Sequence, residues 1–228
     1  MKLHTYSFEG LKIDIFSDWL IDARTYLISD GERQLIIDPH VDDDILKHLY
    51  SAEVISILLT HEHYDHVSGV NWLREYFSCN VYSSEYCAKE LENEQNKTIH
   101  FPLYFIGDKE KYHYAKKLKL PYICKVDTIL KDNEELNSVF DYGKVIETPG
   151  HSPGGMTYLL RNRYMFTGDN LLGNGMELKS IGADRDALYR TIKRYEELSE
   201  DIIVFPGHGE VDSLGYYLDI VKRVYEWN

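Results

Sequence analysis

Much is missing from this chain of 228 residues, and each absence excludes something. No apolar run approaches the roughly 20 residues needed to span a bilayer, so a membrane protein is not expected. The first ten residues alternate polar and apolar types and read as a strand. They lack the basic head and apolar run of a secretory leader, so a cytoplasmic location is expected. Cysteine is scarce, with three residues (Cys79, Cys87 and Cys124) and no CxxC pair. A disulfide framework is therefore not expected, and the three read as ordinary semi-buried thiols. There is no excess of basic residues either: 25 Lys and Arg stand against 38 Asp and Glu, a net charge of −13. An acidic surface repels phosphate backbones, which argues against nucleic-acid partners, although bound divalent metals would cancel part of that charge locally. There is no GxSxG elbow, no activated cysteine motif, no repeat and no Pro/Gly-rich linker. One domain over 1–228 is expected.

What is present is a mixture of strands and helices. Short β-type runs occupy 11–16, 25–29 and 34–37, the last two joined by a turn at Asp30-Gly31. A short helix is predicted over 42–50, with Ile45, Leu46 and Leu49 on one face. The almost wholly apolar run 54–59 suits a strand buried on both faces. Helical spacing resumes over 67–77 through Val67, Val70, Leu73 and Phe77. Further strands are predicted at 145–147, 156–160, 164–167 and 202–205. Amphipathic helices are predicted over 184–198 (Leu188, Ile192, Tyr195 and Leu198 inward) and 214–227 (Leu214, Tyr217, Val221 and Val224 inward). This pattern implies helices packed outside a core of strands.

The chemistry concentrates in the turns. THEHYDH, 60–66, gathers His61, His63, Asp65 and His66 between a buried strand and a helix. By the period of two, His61 and His63 point the same way, while Asp65 and His66 can turn toward a second point. Imidazole nitrogen and carboxylate oxygen are ligands that zinc and iron(II) accept. The plainer alternative is a solvated polar loop. Three later turns weigh against it: TPGHSPGG (148–155) carries His151, TGDN (167–170) carries Asp169, and FPGHG (205–209) carries His208. Glycine and proline in such turns pre-position the ligand.

HxHxDH, then PGHSPG, then GD, then PGHG, in that order, resembles the motif series of the metallo-β-lactamase superfamily, and above all its glyoxalase II-like branch. The resemblance runs from Thr25 to Gly209. It implies an α+β fold, a four-layered αβ/βα sandwich of two β-sheets flanked by helices. It implies two divalent metal ions, zinc foremost with iron or manganese also suited. One would take His61, His63 and His151; the other Asp65, His66 and His208; Asp169 would bridge them. Asp38, at the end of QLIID, matches the family aspartate that orients ligands without binding metal. The family usually has glycine in the following turn, where this chain has Pro39-His40. His40 thus falls near the expected site. It is read first as a solvent-facing loop histidine and second as a substrate contact.

The activity implied is hydrolysis of a thioester, ester or lactone in a small molecule. A metal-bridging hydroxide would attack, and Asp65 or Asp169 would pass a proton to the leaving group. Two alternatives within the fold are a mononuclear iron enzyme resembling persulfide dioxygenases and a phosphodiesterase or RNA-processing nuclease. The full ligand set favours two metals over one, and the acidic balance disfavours the nuclease. Flavodiiron relatives carry glutamate where this chain has His63. Acyl-homoserine lactonases place tyrosine three residues after the bridging aspartate, where this chain has Leu172. About twenty residues follow PGHG, too few for the helical domain with which full glyoxalase II enzymes grip glutathione.

The least typical segment is 93–125, rich in aromatic and basic residues. It is expected to be either a lid that selects substrate, with Tyr104, Phe105 and Tyr112 as contacts, or a surface insertion whose aromatics form their own small core. Tyr64 is expected near the metal ligands without a catalytic role.

Overall fold

The computed structural model describes residues 4–8, 10–49, 54–137, 139–140 and 142–227. Of the predicted first strand, residues 1–3 and 9 lie outside the described set, as does Tyr50 at the end of the predicted first helix.

A seven-stranded sheet takes the first half of the chain. Its strands run β1 (His4–Phe8), β2 (Leu11–Ser17), β3 (Arg24–Ser29), β4 (Gln34–Ile37), β5 (Ile55–Leu58), β6 (Cys79–Ser83) and β7 (Thr128–Ile129), in spatial order 1 to 7. The first three pairings are antiparallel and the remainder parallel. Antiparallel neighbours need only tight turns. At the β3–β4 turn Asp30 accepts from the backbone N–H groups of Glu32 and Arg33, and Gly31 adopts φ +94°. Parallel neighbours need crossovers, here supplied by α1 (Asp43–His48), by α2 (Tyr64–Val67) with α3 (Val70–Tyr76), and by α4 (Glu85–Glu92) with the segment that follows it.

The second sheet holds β8 (Gly143–Glu147), β9 (Met156–Leu160), β10 (Tyr164–Gly168), β11 (Ile203–Pro206) and β12 (Asp212–Ser213), ordered 12-11-10-9-8. Two helices, α6 (Arg185–Tyr195) and α7 (Leu214–Tyr225), complete this half.

Three packed layers of side chains separate four layers of backbone. Ile13, Tyr26, Ile37, Tyr158, Phe166 and Phe205 meet between the sheets. Ile36, Ile57, Val70, Leu73 and Leu91 join the first sheet to α1, α3 and α4. Met165, Leu188, Ile192, Val204 and Val221 join the second sheet to α6 and α7. Strands β4, β5, β9 and β10 have both faces covered, which explains their nearly unbroken apolar sequences. The architecture is the expected α+β four-layer sandwich.

Two local expectations need correction. The helix anticipated over 67–77 is two helices, and it begins earlier: α2 starts at Tyr64, so Asp65 and His66 stand on its first turn rather than in a loop. The interruption falls at Gly69, where a Cβ would lie 2.7 Å from the His40 carbonyl oxygen, so the chain bends to let the Pro39-His40 turn pass. Val224 is 46% exposed, because the buried stripe of α7 runs Leu214, Tyr217, Leu218, Val221 and Tyr225 and leaves Val224 to its side. No described helix is long and apolar enough to cross a membrane.

The segment between α4 and β7 contains a 3-10 helix, Lys97–Phe105, and α5 (Lys109–Ala115). Phe101, Phe105 and Ala115 pack with Leu20 into a small separate core, against which Tyr64 and Tyr112 lie.

Candidate metal centre

The segments that follow β5, β8, β10 and β11 converge on one point. Seven side chains meet there: His61, His63, Asp65, His66, His151, Asp169 and His208. The first four follow β5, His151 is in the loop after β8, Asp169 ends β10, and His208 follows β11.

They form two triads. In the first, His61 Nε2 and His151 Nε2 each lie 3.0 Å from His63 Nδ1. In the second, His208 Nε2 is 3.3 Å from both His66 Nε2 and Asp65 Oδ2, with His66 Nε2 3.5 Å from Asp65 Oδ2. Asp169 stands between them. Its Oδ1 is 3.4 Å from His66 Nε2, and its Oδ2 is 3.4 Å from both His151 Nε2 and His208 Nε2.

The outer hydrogen bonds fix the tautomers. His151 Nδ1 faces the Glu177 carbonyl at 2.8 Å, and His208 Nδ1 faces that of Ile21 at 3.1 Å. A carbonyl only accepts, so both Nδ1 atoms carry the proton. Thr60 Oγ1 gives its hydrogen to Asp38 at 2.5 Å and so accepts from His61 Nδ1 at 3.0 Å. His66 Nδ1 faces Asp38 Oδ2 at 3.0 Å. In their neutral forms these four histidines therefore turn lone pairs inward, toward other lone pairs and toward carboxylate oxygens. Such an arrangement repels itself unless cations occupy the points of convergence.

The acid–base balance says the same. Burial, reinforced by neighbouring imidazoles, drives His61 well below the usual histidine range and His63 down to about 3. Burial also lowers His151. In the second triad burial is overcome by charge: Asp65 and Asp169 push His66 up to about 9, and Asp169 raises His208 strongly. Burial likewise opposes but does not prevent the fall of Asp65 to about 2, held by His66 and His208. The buried Asp169 Oδ1 has no hydrogen-bond partner at all. The donor set thus fits two divalent ions of the zinc type, with imidazole nitrogens and carboxylate oxygens only. Asp38 could be counted with His61 and His66 as a third ligand group. Its carboxylate is instead spent on Thr60 N, Thr60 Oγ1 and His66 Nδ1, which makes it the residue that orients them.

Several residues that hold the centre were not among the candidates drawn from the sequence. Asn170 accepts from His151 N at 3.1 Å and donates to Thr148 O at 2.6 Å, stiffening the His151 loop. Glu177 is fully buried; its carboxylate accepts from Leu172 N and Tyr225 Oη, and its carbonyl accepts a hydrogen bond from His151 Nδ1. Glu62, between two histidines of the motif, points away from the centre to Ser152 Oγ at 3.1 Å, and burial lifts its carboxyl to about 7.

A cavity of about 330 Å³ opens over the triads, lined by His63, Asp65, His151, Asp169 and His208, with Tyr104, Leu172, Met176 and Lys179 around the mouth. Of the substrate contacts anticipated from sequence, Tyr104 lines this cavity. Phe105 does not: it is 5% exposed and faces the small core of the insertion, because the 3-10 helix turns successive side chains to different sides. Tyr112 lies against that same core rather than the cavity. His40 is not solvent-facing; it is 4% exposed and bonded to Thr25, because the turn after β4 folds under α3. Tyr64 packs on Phe101, ring centres 4.6 Å apart, and ties the ligand-bearing α2 to the insertion.

Residues 21–208 match the sequence model of the metallo-beta-lactamase superfamily. A probable polyketide biosynthesis zinc-dependent hydrolase, PksB of Bacillus subtilis (strain 168), is 27% identical over 210 residues, covering 89% of this chain and 79% of its own length. The hydroxyacylglutathione hydrolase of Haemophilus ducreyi (strain 35000HP / ATCC 700724) is 24% identical over 192 residues; the match covers 83% of this chain and 66% of that enzyme. Among solved structures, TTHA1623 in a di-iron-bound form superposes with a TM-score of 0.63 at 28% identity, over 92% of this chain and 96% of the other.

Proposed function

The chain belongs to the metallo-beta-lactamase superfamily, and from that premise we propose that it is a dinuclear metal-dependent hydrolase of small thioesters, esters or lactones. The observation that carries this reading is the pair of triads joined by Asp169, with four inward lone pairs and an orphaned carboxylate oxygen at their junction. His61, His63 and His151 would hold one ion, and Asp65, His66 and His208 the other, with Asp169 shared. Bound there, two ions would acidify a water molecule and polarise a substrate carbonyl.

The chain's own residues supply the remainder. Asp38 and Thr60 keep the imidazoles in the tautomers that present lone pairs inward. Asp65 and Asp169, held ionised at neutral pH, can accept a proton and return it to the leaving group. The cavity admits a small substrate. Tyr104 and Lys179 at its mouth offer a hydroxyl and a cation to the part of the substrate away from the reacting carbonyl. Residues 93–125, which carry Tyr104, act as a wall over the site with a core of their own. A relative named as a hydroxyacylglutathione hydrolase and another named as a zinc-dependent hydrolase support the hydrolytic reading and the choice of zinc first.

Metal analysis of the purified protein, with turnover of one small thioester and one small lactone, tests this. Two zinc, iron or manganese ions per chain with hydrolysis are expected. One iron per chain with oxygen uptake on a persulfide, and no hydrolysis, would replace this reading with the dioxygenase.

A further inference from the structure

One wall of the cavity over the metal centre contains neither helix nor strand. Residues 171–180, between β10 and α6, run as turns and bends, and Leu172, Asn174, Met176, Lys179 and Ser180 line the cavity from this stretch. A segment without a backbone ladder is only as firm as the side chains that pin it.

Glu177 is the pin. It is 0% exposed, and both its carboxylate oxygens are engaged. Oε1 accepts from Leu172 N at 2.8 Å, which closes the segment on itself. Oε2 accepts from Tyr225 Oη at 2.9 Å, with the Gly175 carbonyl 3.2 Å from the same hydroxyl. Tyr225 thus reaches the cavity wall from the last turn of α7. Gly175 shows how closely the two lie: its φ is +68°, and a Cβ there would stand 2.6 Å from Val224 Cγ1. Tyr225 is itself braced from outside. Arg185, the first residue of α6, donates from Nη2 to the Tyr225 carbonyl at 2.7 Å. Its guanidinium lies 5.5 Å from the centre of the Tyr225 ring and 5.4 Å from that of Trp227.

We propose that Tyr225 is a positioning residue for substrate: its hydroxyl, acting through Glu177, holds residues 171–180 in the shape that forms the cavity wall. Removing that hydroxyl takes the donor from a fully buried carboxylate oxygen. A buried acceptor left unpaired costs more than the bond contributed, so the cheapest response is for the segment to open and admit water. Leu172, Met176 and Lys179 then lose their fixed places beside the substrate. The end of the chain's last helix, which contributes no ligand and does not line the cavity, would in this way set how tightly substrate is held.

The test compares full-length wild type with Tyr225→Phe and Leu214→Ala, each at saturating zinc and well below its unfolding midpoint. Leu214 is buried at the opposite end of α7, so its truncation weakens the packing of the helix without touching Glu177. Hydrogen exchange, read by mass spectrometry in peptides covering 171–180, is expected to quicken about tenfold in Tyr225→Phe and to stay at the wild-type rate in Leu214→Ala. On the hydrolytic reading proposed above, KM is expected to rise about fivefold in Tyr225→Phe alone, with kcat little changed. Wild-type exchange in Tyr225→Phe, equal quickening in both variants, or quickening with KM unmoved would overturn the proposal. Absence of turnover in wild type would defeat the hydrolytic reading instead, and the exchange comparison would still decide whether Tyr225 holds the wall.

Discussion

Gly207 has no room for a side chain: a Cβ there would sit 1.9 Å from Asp169 Oδ1 and 2.9 Å from His66 Cε1. Nothing flexible can yield, since both neighbours are candidate ligands. Gly207→Ala is therefore expected to abolish retention of at least one metal ion and to reduce kcat/KM at least a hundredfold while leaving the far-UV circular dichroism unchanged. Metal content equal to wild type in this variant would contradict the placement of Asp169. Asp38→Ala removes the carboxylate that fixes His66 and Thr60. A loss of about 10–100-fold in zinc affinity is expected, read by competition with a chromophoric chelator. Affinity unchanged within error would show that Asp38 does not orient the ligands. At this scale the sequence was informative where a side chain itself does the work. His61, His63, Asp65, His66, His151, Asp169 and His208 each belong to a short motif of diagnostic residues, and the structure brings all seven together. It was silent where the backbone does the work. Glu177 accepts the His151 Nδ1–H hydrogen bond through its carbonyl, which any residue could offer, and nothing in GMELKS marks it. His40 misled for a related reason: its burial follows from where Gly69 lets the chain cross, a contact between distant backbones.

The insertion between α4 and β7 divides its aromatics between two tasks. Phe105 is buried among Leu20, Phe101 and Ala115, whereas Tyr104, one residue earlier, is half-exposed at the cavity mouth. Phe105→Ala is expected to cost about 3 kcal/mol of stability, seen as a lowered midpoint in urea. Tyr104→Ala is expected to leave that midpoint within about 0.5 kcal/mol and to raise KM several-fold with kcat little changed. If Tyr104→Ala lowered stability as much as Phe105→Ala and spared KM, the segment would be a surface insertion and not part of the substrate site. Element positions were legible from periodicity across most of the chain, because β4, β5, β9 and β10 are apolar on both faces and α6 is strongly amphipathic. Breaks such as the one at Gly69 were not, because the apolar spacing runs straight through them.

Across the whole molecule the centre acts as a clasp. Arg24 N donates to the Gly207 carbonyl at 2.8 Å and Ala23 pairs with His208, so the start of β3 in one sheet is joined to the turn that carries a ligand from the other. Ions held by residues from both sheets stabilise the folded state by mass action, by about 2.7 kcal/mol at a free metal concentration one hundred times Kd. For a chain of this size that corresponds to a rise in Tm of roughly 5–10 °C. Stripping the metals is expected to lower Tm by that amount, and restoring zinc to recover it; a Tm indifferent to zinc would show that the two sheets do not share the ions. The sandwich was readable before any coordinates because the order of the four motifs carries the topology with it. The course of residues 93–125 was not, since an insertion with its own core obeys no rule of the frame around it.

The claim that two ions share Asp169 is tested most directly by crystals of the zinc-loaded protein, with data collected on either side of the zinc absorption edge. The account predicts two anomalous peaks flanking the Asp169 carboxylate, one among His61, His63 and His151 and the other among Asp65, His66 and His208. A single peak, or peaks that leave Asp169 without a metal neighbour, would contradict it.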